Sequence, residues 1–216
     1  MTGAEHTWTI VVGGGSGERF GTLKQYEPLG ECRVIDHARA VAEETCDGVV
    51  VVVPAVDADR EGAVAGGATR SESVRAGLAA VPDDATIICV HDAARPFATP
   101  ELFRRVIDAV VAGADGAIPG VAVTDTIKVV ADGAVVSTPD RSALVAVQTP
   151  QAFRAAILRR AHDGGDASTD DAALVERIGG HVVVVAGEPI NRKITHPDDL
   201  EWARRQLVAD PTGLTP

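Results

Sequence analysis

Gly13-Gly14-Gly15-Ser16-Gly17 follows directly on the apolar segment Trp8–Val12 and is closed by Glu18-Arg19. Consecutive glycines let backbone N–H groups approach a ligand closely, and a nest of such groups binds phosphate oxygens. The spacing is not the dinucleotide fingerprint, because the third glycine would fall on Glu18 counted from Gly13 and on Phe20 counted from Gly15. It is not a Walker loop either, since the chain contains no Gly-Lys pair. Taken alone, the glycines read equally well as a flexible turn between a strand and a helix.

Arg19 and Lys24 lie just beyond that run, where a triphosphate seated on the nest would extend. The chain has 17 arginines and only three lysines, Lys24, Lys128 and Lys193. Where composition favours arginine so strongly, a lysine marks a place that needs a compact point charge. Each lysine alone reads as solvated surface; the three together favour a functional role. Asp92 closes the apolar segment Thr86–Val90 in the run His91-Asp92-Ala93-Ala94-Arg95-Pro96. A carboxylate at the carboxyl end of a strand can hold Mg²⁺ together with substrate phosphates. It can equally cap a turn and pair with Arg95. His91 by itself reads as a packed or hydrogen-bonded residue.

The net charge of −11 makes that scarcity of cations informative. A general nucleic-acid binder needs a basic surface, and only 3% of the residues are aromatic, too few for base-stacking platforms. Cys32, Cys46 and Cys89, an odd count with no CxxC spacing, argue against a disulfide framework or zinc site and fit a reducing cytoplasm. Met1 to Thr9 has neither the basic region nor the apolar run of a signal peptide, and the longest apolar run, Val49–Val53, is too short to span a bilayer. A cytoplasmic protein without membrane contact is expected.

The elements that must position these groups follow from periodicity. Trp8–Val12, Val49–Val53, Thr86–Val90, Ala114–Val121 and His181–Val185 read as strands. Helices are expected over Arg33–Glu44, Ser73–Ala80 behind the capping box Thr69-Arg70-Ser71-Glu72, Thr99-Pro100 to Val111, Thr149-Pro150 to His162, Asp170–Ile178 and Pro197–Val208. Thr126–Val130 and Ala134–Ser137, joined at Asp132-Gly133, read as a hairpin. Alternating strands and helices imply an α/β fold, a doubly wound, mostly parallel sheet, in a single domain over residues 1–210 with a flexible tail at 211–216. The hairpin region, about 122–146, is an arm that a single sheet does not need, and a second subunit is its simplest partner.

Gly13–Arg19, Lys24-Gln25-Tyr26, Gly66-Gly67, Arg70-Ser71-Glu72-Ser73-Val74, His91–Pro96, Asp125-Thr126-Ile127-Lys128, Thr149-Pro150-Gln151, Thr169-Asp170-Asp171 and Lys193-Ile194-Thr195 occur in this order. Together they resemble the 2-C-methyl-D-erythritol 4-phosphate cytidylyltransferase family of the non-mevalonate isoprenoid pathway, over about residues 8–208. The resemblance implies a Rossmann-like nucleotidyltransferase fold, and a reaction of CTP with a polyol phosphate to give a CDP-polyol and pyrophosphate. It assigns Gly13, Gly14 and Gly15 to CTP through their backbone, Gly67 and Ser73 to the cytosine, Arg19 and Lys24 to the phosphates, and Lys193 to the α-phosphate. Asp92 would place Mg²⁺, and Arg95 would support its loop. Asp125, Thr126, Arg141 and Thr169 would hold the polyol phosphate, with Arg141 delivered by the arm of a second copy in a homodimer. On residue type alone, Ser73, Thr149 and Thr169 also read as helix caps.

The sequence departs from the family pattern where Val12-Gly13-Gly14-Gly15 replaces the usual Pro-Ala-Ala-Gly, and where the stretch from Arg19 to Lys24 is about two residues short with Leu23 in place of proline. Ala68 stands where some relatives carry an acid or hydroxyl. The glycine run and Arg95-Pro96-Phe97 are also similar to ribitol-5-phosphate cytidylyltransferases, from which Ala93-Ala94 and Lys128 separate this chain. A nucleotide-binding relative without catalysis is the alternative of another class.

Overall fold

The computed structural model describes residues 5–14, 20, 23–165, 168 and 170–209. The N-terminal half alternates strand and helix: β1 (Thr7–Val12), a short hairpin of β2 (Pro28–Leu29) and β3 (Cys32–Arg33), α1 (Val34–Thr45), β4 (Gly48–Val53), α2 (Ala58–Glu61), β5 (Val64–Ala65), α3 (Arg70–Ala80), β6 (Ile87–Asp92) and α4 (Pro100–Val111). The C-terminal half contains β7 (Gly116–Ala122), β8 (Val129–Ala131), β9 (Ala134–Ser137), β10 (Val145–Val147), β11 (Gln151–Arg154), α5 (Ala155–Asp163), α6 (Asp171–Arg177), β12 (Val182–Ala186) and α7 (Pro197–Ala209).

Among the described residues, eight strands form one sheet in the order β10-β7-β11-β6-β1-β4-β5, with β12 on the other side of β7. β1 lies between β4 and β6, parallel to both, and β4–β5 and β7–β12 are parallel too. The sheet is mostly parallel, as expected, with β11 antiparallel to β6 and β7, and β10 antiparallel to β7.

Strand alternation sorts the core onto two faces. Ile10, Val52, Ile88, Val90 and Phe153 pack against Val74 and Leu78 of α3, Leu158 of α5 and Val175 of α6. Val11, Ile87, Cys89 and Ala152 pack on the other face against Ala38 of α1 and Leu102, Phe103 and Val106 of α4. α3 approaches the sheet closely because Gly77 carries no side chain: a Cβ there would lie 2.5 Å from Ile10 Cγ2. Its start is fixed by the capping box, with the Glu72 N–H donating to Thr69 Oγ1 at 3.1 Å and the Thr69 N–H to Glu72 Oε2 at 3.0 Å. Losing such a cap costs about 1 kcal/mol. Thr99 caps α4 through the Leu102 N–H, with Pro100 at its first turn.

Two sequence expectations are corrected. No helix begins at Thr149-Pro150. Gln151–Arg154 is a strand whose first three residues are buried, and it fills the gap between β6 and β7 before α5 starts at Ala155. Tertiary pairing overrides the helix-start signal of a threonine followed by proline. The hairpin is real, with Asp132 at φ 51° and Gly133 at φ 78° in its turn, but its first strand is Val129–Ala131 rather than Thr126–Val130. Residues 126–128 have no partner strand, and the ladder shifts register between Val129 and Val130. The tail at 211–216 lies outside the described residues. Among the described residues, no helix is long and apolar enough to cross a membrane.

Candidate active site

Val12 is level with Val52 on one side and with Asp92 on the other, so β1, β4 and β6 end together. Beyond their carboxyl ends opens a cavity of about 640 Å³. Open α/β sheets bind ligands at this edge. Gly13, Gly14, Lys24, Gly67, Ser73, Asp92 and Lys193, seven residues singled out from the sequence, line it together. Gly15 and Arg19, with the rest of the 15–19 run, and Thr169 lie outside the described residues.

The two described glycines of the first turn differ in what they can offer. The Gly13 N–H donates to the Val52 carbonyl at 2.7 Å and is spent within the sheet. Gly14 faces Ser73: a Cβ on Gly14 would lie 2.8 Å from Ser73 Oγ, and one on Gly66 would lie equally close. Ser73 is therefore framed by two bare backbone segments. Its hydroxyl donates to the Thr69 carbonyl at 3.1 Å, which leaves the oxygen lone pairs as acceptors. It is not the N-cap of α3; Thr69 is.

Asp92 is the only carboxylate lining the cavity among the described residues. The Lys193 ammonium donates to its Oδ2 at 2.6 Å, and Arg70 Nε to its Oδ1 at 3.3 Å. Burial works against a charge here, but the Lys193 and Arg70 cations override it and hold the carboxyl well below the usual carboxylate range. The alternative pairing of Asp92 with the Arg95 side chain is not formed. Only the backbone closes that turn, the Arg95 N–H donating to the Asp92 carbonyl at 3.0 Å. The Arg95 guanidinium reaches instead to the carbonyls of Asn191 at 2.8 Å and Val147 at 3.3 Å. Arg95 thus braces the Asp92 turn against the segment that delivers Lys193. That segment is anchored by the Ile194 N–H on the Ala94 carbonyl at 2.8 Å and by the fully buried Ile194 side chain.

Behind Asp92 runs a buried polar chain. The Asp92 N–H donates to Thr149 Oγ1 at 2.9 Å, and Thr149 Oγ1 lies 3.1 Å from His91 Nδ1. His91 Nε2 lies 3.2 Å from the Arg95 carbonyl, which can only accept, so Nε2 carries the hydrogen. Burial pushes the His91 pKa down to about 4, so the ring is neutral and its Nδ1 accepts the Thr149 hydroxyl. The sequence reading of Thr149 as a helix cap gives way to this inward role; the reading of His91 as a hydrogen-bonded core residue agrees with it.

The remaining expected substrate residues are elsewhere. Asp125, Thr126 and Arg141 are exposed on the arm, where Arg141 Nη1 donates to the Thr124 carbonyl at 2.8 Å. Lys128 is on the arm too and donates to Thr138 Oγ1 at 2.7 Å, so it does not share the cavity with the other two lysines. Sequence reasoning gave no role to Arg70, Asp171 or Asn191. Arg70 and Asp171 stood inside quoted motifs, but nothing in their spacing told which carboxylate each would meet.

The model of the family "2-C-methyl-D-erythritol 4-phosphate cytidylyltransferase" matches residues 7–208. The chain is 46% identical over 209 residues to the protein of that name from Rhodococcus jostii, covering 90% of this chain and 92% of that one. It is 42% identical over 227 residues to a bifunctional enzyme IspD/IspF from Nitratidesulfovibrio vulgaris. That alignment takes in 90% of this chain and 56% of the relative, so the chain spans about half the length of such bifunctional proteins. The crystal structure of a 4-diphosphocytidyl-2C-methyl-D-erythritol synthase from Anaerococcus prevotii superposes with a TM-score of 0.83 at 28% identity, covering 94% of this chain and 99% of that one.

Proposed function

The chain belongs to the 2-C-methyl-D-erythritol 4-phosphate cytidylyltransferase family, and from that premise we propose that it joins CTP to 2-C-methyl-D-erythritol 4-phosphate, giving the CDP-polyol and pyrophosphate. One observation carries the reading at residue level. An acidic chain with three lysines gathers Lys24 and Lys193, with Asp92 and the glycine turn, around one cavity at the carboxyl edge of the sheet.

The substrate phosphate is already a nucleophile, so the reaction needs neither a general base nor a covalent intermediate. It needs in-line placement and neutralisation of charge on the transferred phosphoryl group. In this reading Lys24 and Arg19 hold the β- and γ-phosphates, and Lys193 meets the α-phosphate. The cytosine lies between Gly14 and Gly67, where its exocyclic amine donates to Ser73 Oγ. Thr169 takes the polyol phosphate together with Asp125, Thr126 and Arg141, the arm residues being supplied by a second copy of the chain.

The donor set fits Mg²⁺ of the kind that rests mainly on phosphates. Among the described residues no cluster of three or more His, Cys, Asp or Glu is placed to hold a metal, and the cavity offers the single ionised carboxylate of Asp92. One carboxylate plus substrate phosphates suits Mg²⁺, which keeps several of its waters. When bound, it would neutralise phosphate charge beside Lys193. Asp92 holds its own place through Lys193, Arg70 and the Thr149 hydroxyl.

The arm supports a homodimer as the working form. Val129, Val130, Val135 and Val136 are all exposed on its two strands, an apolar surface suited to a second copy of the chain. The three free cysteines support a reducing, cytoplasmic setting.

Pyrophosphate release in the presence of CTP and Mg²⁺, with methylerythritol phosphate or ribitol 5-phosphate as acceptor in parallel, tests the reading. Turnover of the first is expected. Turnover of ribitol phosphate alone would move the substrate, and tight CTP binding without release from either would make the chain a binding module.

A further inference from the structure

Arg70 opens α3, and its guanidinium reaches two carboxylates from different parts of the chain. Nε donates to Asp92 Oδ1 at 3.3 Å, and Nη1 donates to Asp171 Oδ2 at 2.7 Å. Asp171 is fully buried at the start of α6, and its other oxygen lies 3.1 Å from His162 Nε2 on α5. The neighbouring Ser71 grips the same region from the other side: its hydroxyl donates to the Ser168 carbonyl and accepts the Ser168 N–H, both at 2.9 Å. The first turn of α3, rigid through its capping box, is therefore a bracket. It fastens the cavity carboxylate on one side and, on the other, the residues that flank Thr169-Asp170 in sequence.

We infer that Arg70 is a positioning residue that fixes the spacing between Asp92 and Asp171, next to the tethered Ser168, and so aligns the acceptor phosphate on the bound nucleotide. The inference rests on the cytidylyltransferase reading and names a determinant of its acceptor side. The planar fork is what the task requires. Its donors are held at fixed separation and serve two carboxylates at once, which a lysine ammonium on a flexible stem cannot reproduce. Arg70 takes Oδ1 of the Asp92 carboxylate, and Lys193 takes Oδ2. Reacting groups misplaced by about 1 Å lose on the order of 10²-fold in rate.

The test compares Arg70→Met, Arg70→Lys and Asp171→Asn with the wild-type chain in steady-state kinetics with both substrates, calorimetric titration with CTP, and thermal unfolding. Arg70→Met is expected to lower kcat on the order of 10²-fold and to raise the acceptor KM about 10-fold, with the CTP Kd kept within about 3-fold. Arg70→Lys should recover the melting temperature without recovering kcat, and Asp171→Asn should reproduce the rise in acceptor KM. A second readout needs no substrate: exchange of the Ser168 amide, protected by Ser71, should quicken about 10-fold in Arg70→Met and Asp171→Asn. The inference is overturned if Arg70→Lys restores kcat to within about 3-fold, if the acceptor KM is unchanged, or if CTP affinity falls as far as the rate does. If Arg70→Met does not fold, the other two variants carry the same outcomes. If the wild-type chain turns over no acceptor, the proposed function fails instead, and the amide exchange alone decides whether Arg70 is the tether.

Discussion

Lys193 Nζ lies 2.6 Å from Asp92 Oδ2, although the two residues are 101 positions apart in the chain. The pair joins the end of a central strand to the loop before the last helix, on the wall of the cavity. It presets an ammonium beside the carboxylate that lines the cavity among the described residues. A nucleotide entering with its phosphates would find cation and carboxylate already paired, with little reorganisation left to do.

Lys193→Ala removes that preset charge from a half-exposed side chain. The rate of pyrophosphate release should fall on the order of 10²–10³-fold, as for loss of one transition-state contact, with the far-ultraviolet circular dichroism unchanged. A rate near the wild-type value would remove Lys193 from the chemistry.

Thr149→Val keeps the shape but takes away the acceptor of the Asp92 N–H and the donor to His91 Nδ1. Two buried polar groups lose their partner, so the variant should lose about 1–3 kcal/mol in urea unfolding, whereas Thr149→Ser should stay close to wild type. Equal stability of the Val and Ser variants would contradict the buried chain described behind Asp92.

His91 makes a prediction about pH. Its folded-state pKa is pushed down to about 4 by burial, below the ordinary histidine value of 6.5. Between those two values the unfolded chain binds the extra proton, so stability rises with pH through this window. The contribution is complete above about pH 6.5 and is lost as pH falls through about 4. Imidazole nitrogen signals should show His91 neutral, with the hydrogen on Nε2, from pH 8 down to 5. A midpoint between pH 6 and 7 would refute the assignment.

Gly77→Ala sets helix propensity against packing. Alanine would favour α3 by up to about 1 kcal/mol, but overpacking costs typically about 1–3 kcal/mol. The new Cβ would sit 2.5 Å from Ile10 Cγ2 in the core, so packing should win and the variant should unfold at lower urea. A more stable variant would mean that α3 can lift off the sheet freely.

Val130→Asp together with Val136→Asp places charge on an arm surface where the two valines are 57% and 63% exposed. Sedimentation should show a shift from dimer to monomer with the melting transition still cooperative. An unchanged sedimentation coefficient would locate any self-association elsewhere.

Much of this was legible in the chain because local physics and tertiary structure agree there. The β-branched run at 49–53, the Thr69–Glu72 capping box and the Thr99-Pro100 start each specify their element from a few neighbouring residues, and the structure has all three. The glycine turn, Lys24, Asp92 and Lys193 were visible as chemistry through residue type, motif order and their rarity in an acidic composition. Thr149-Pro150 was misread because its two meanings look alike in sequence. A threonine before proline starts a helix or lies buried before a strand, and only the gap between β6 and β7 decides which.

By itself, then, the sequence determined the alternation of strands and helices, the family, and which side chains are candidates for the cavity. Those are matters of period, residue type and order along the chain. The tertiary structure alone decided the pairings: that Asp92 answers to Lys193 and Arg70 rather than to Arg95, that Thr149 supports its backbone, and that Lys128 is on the arm away from the cavity. A carboxylate takes whichever cation the packed backbone brings within about 3 Å, and proximity across 101 residues is set by sheet order, which no local spacing encodes.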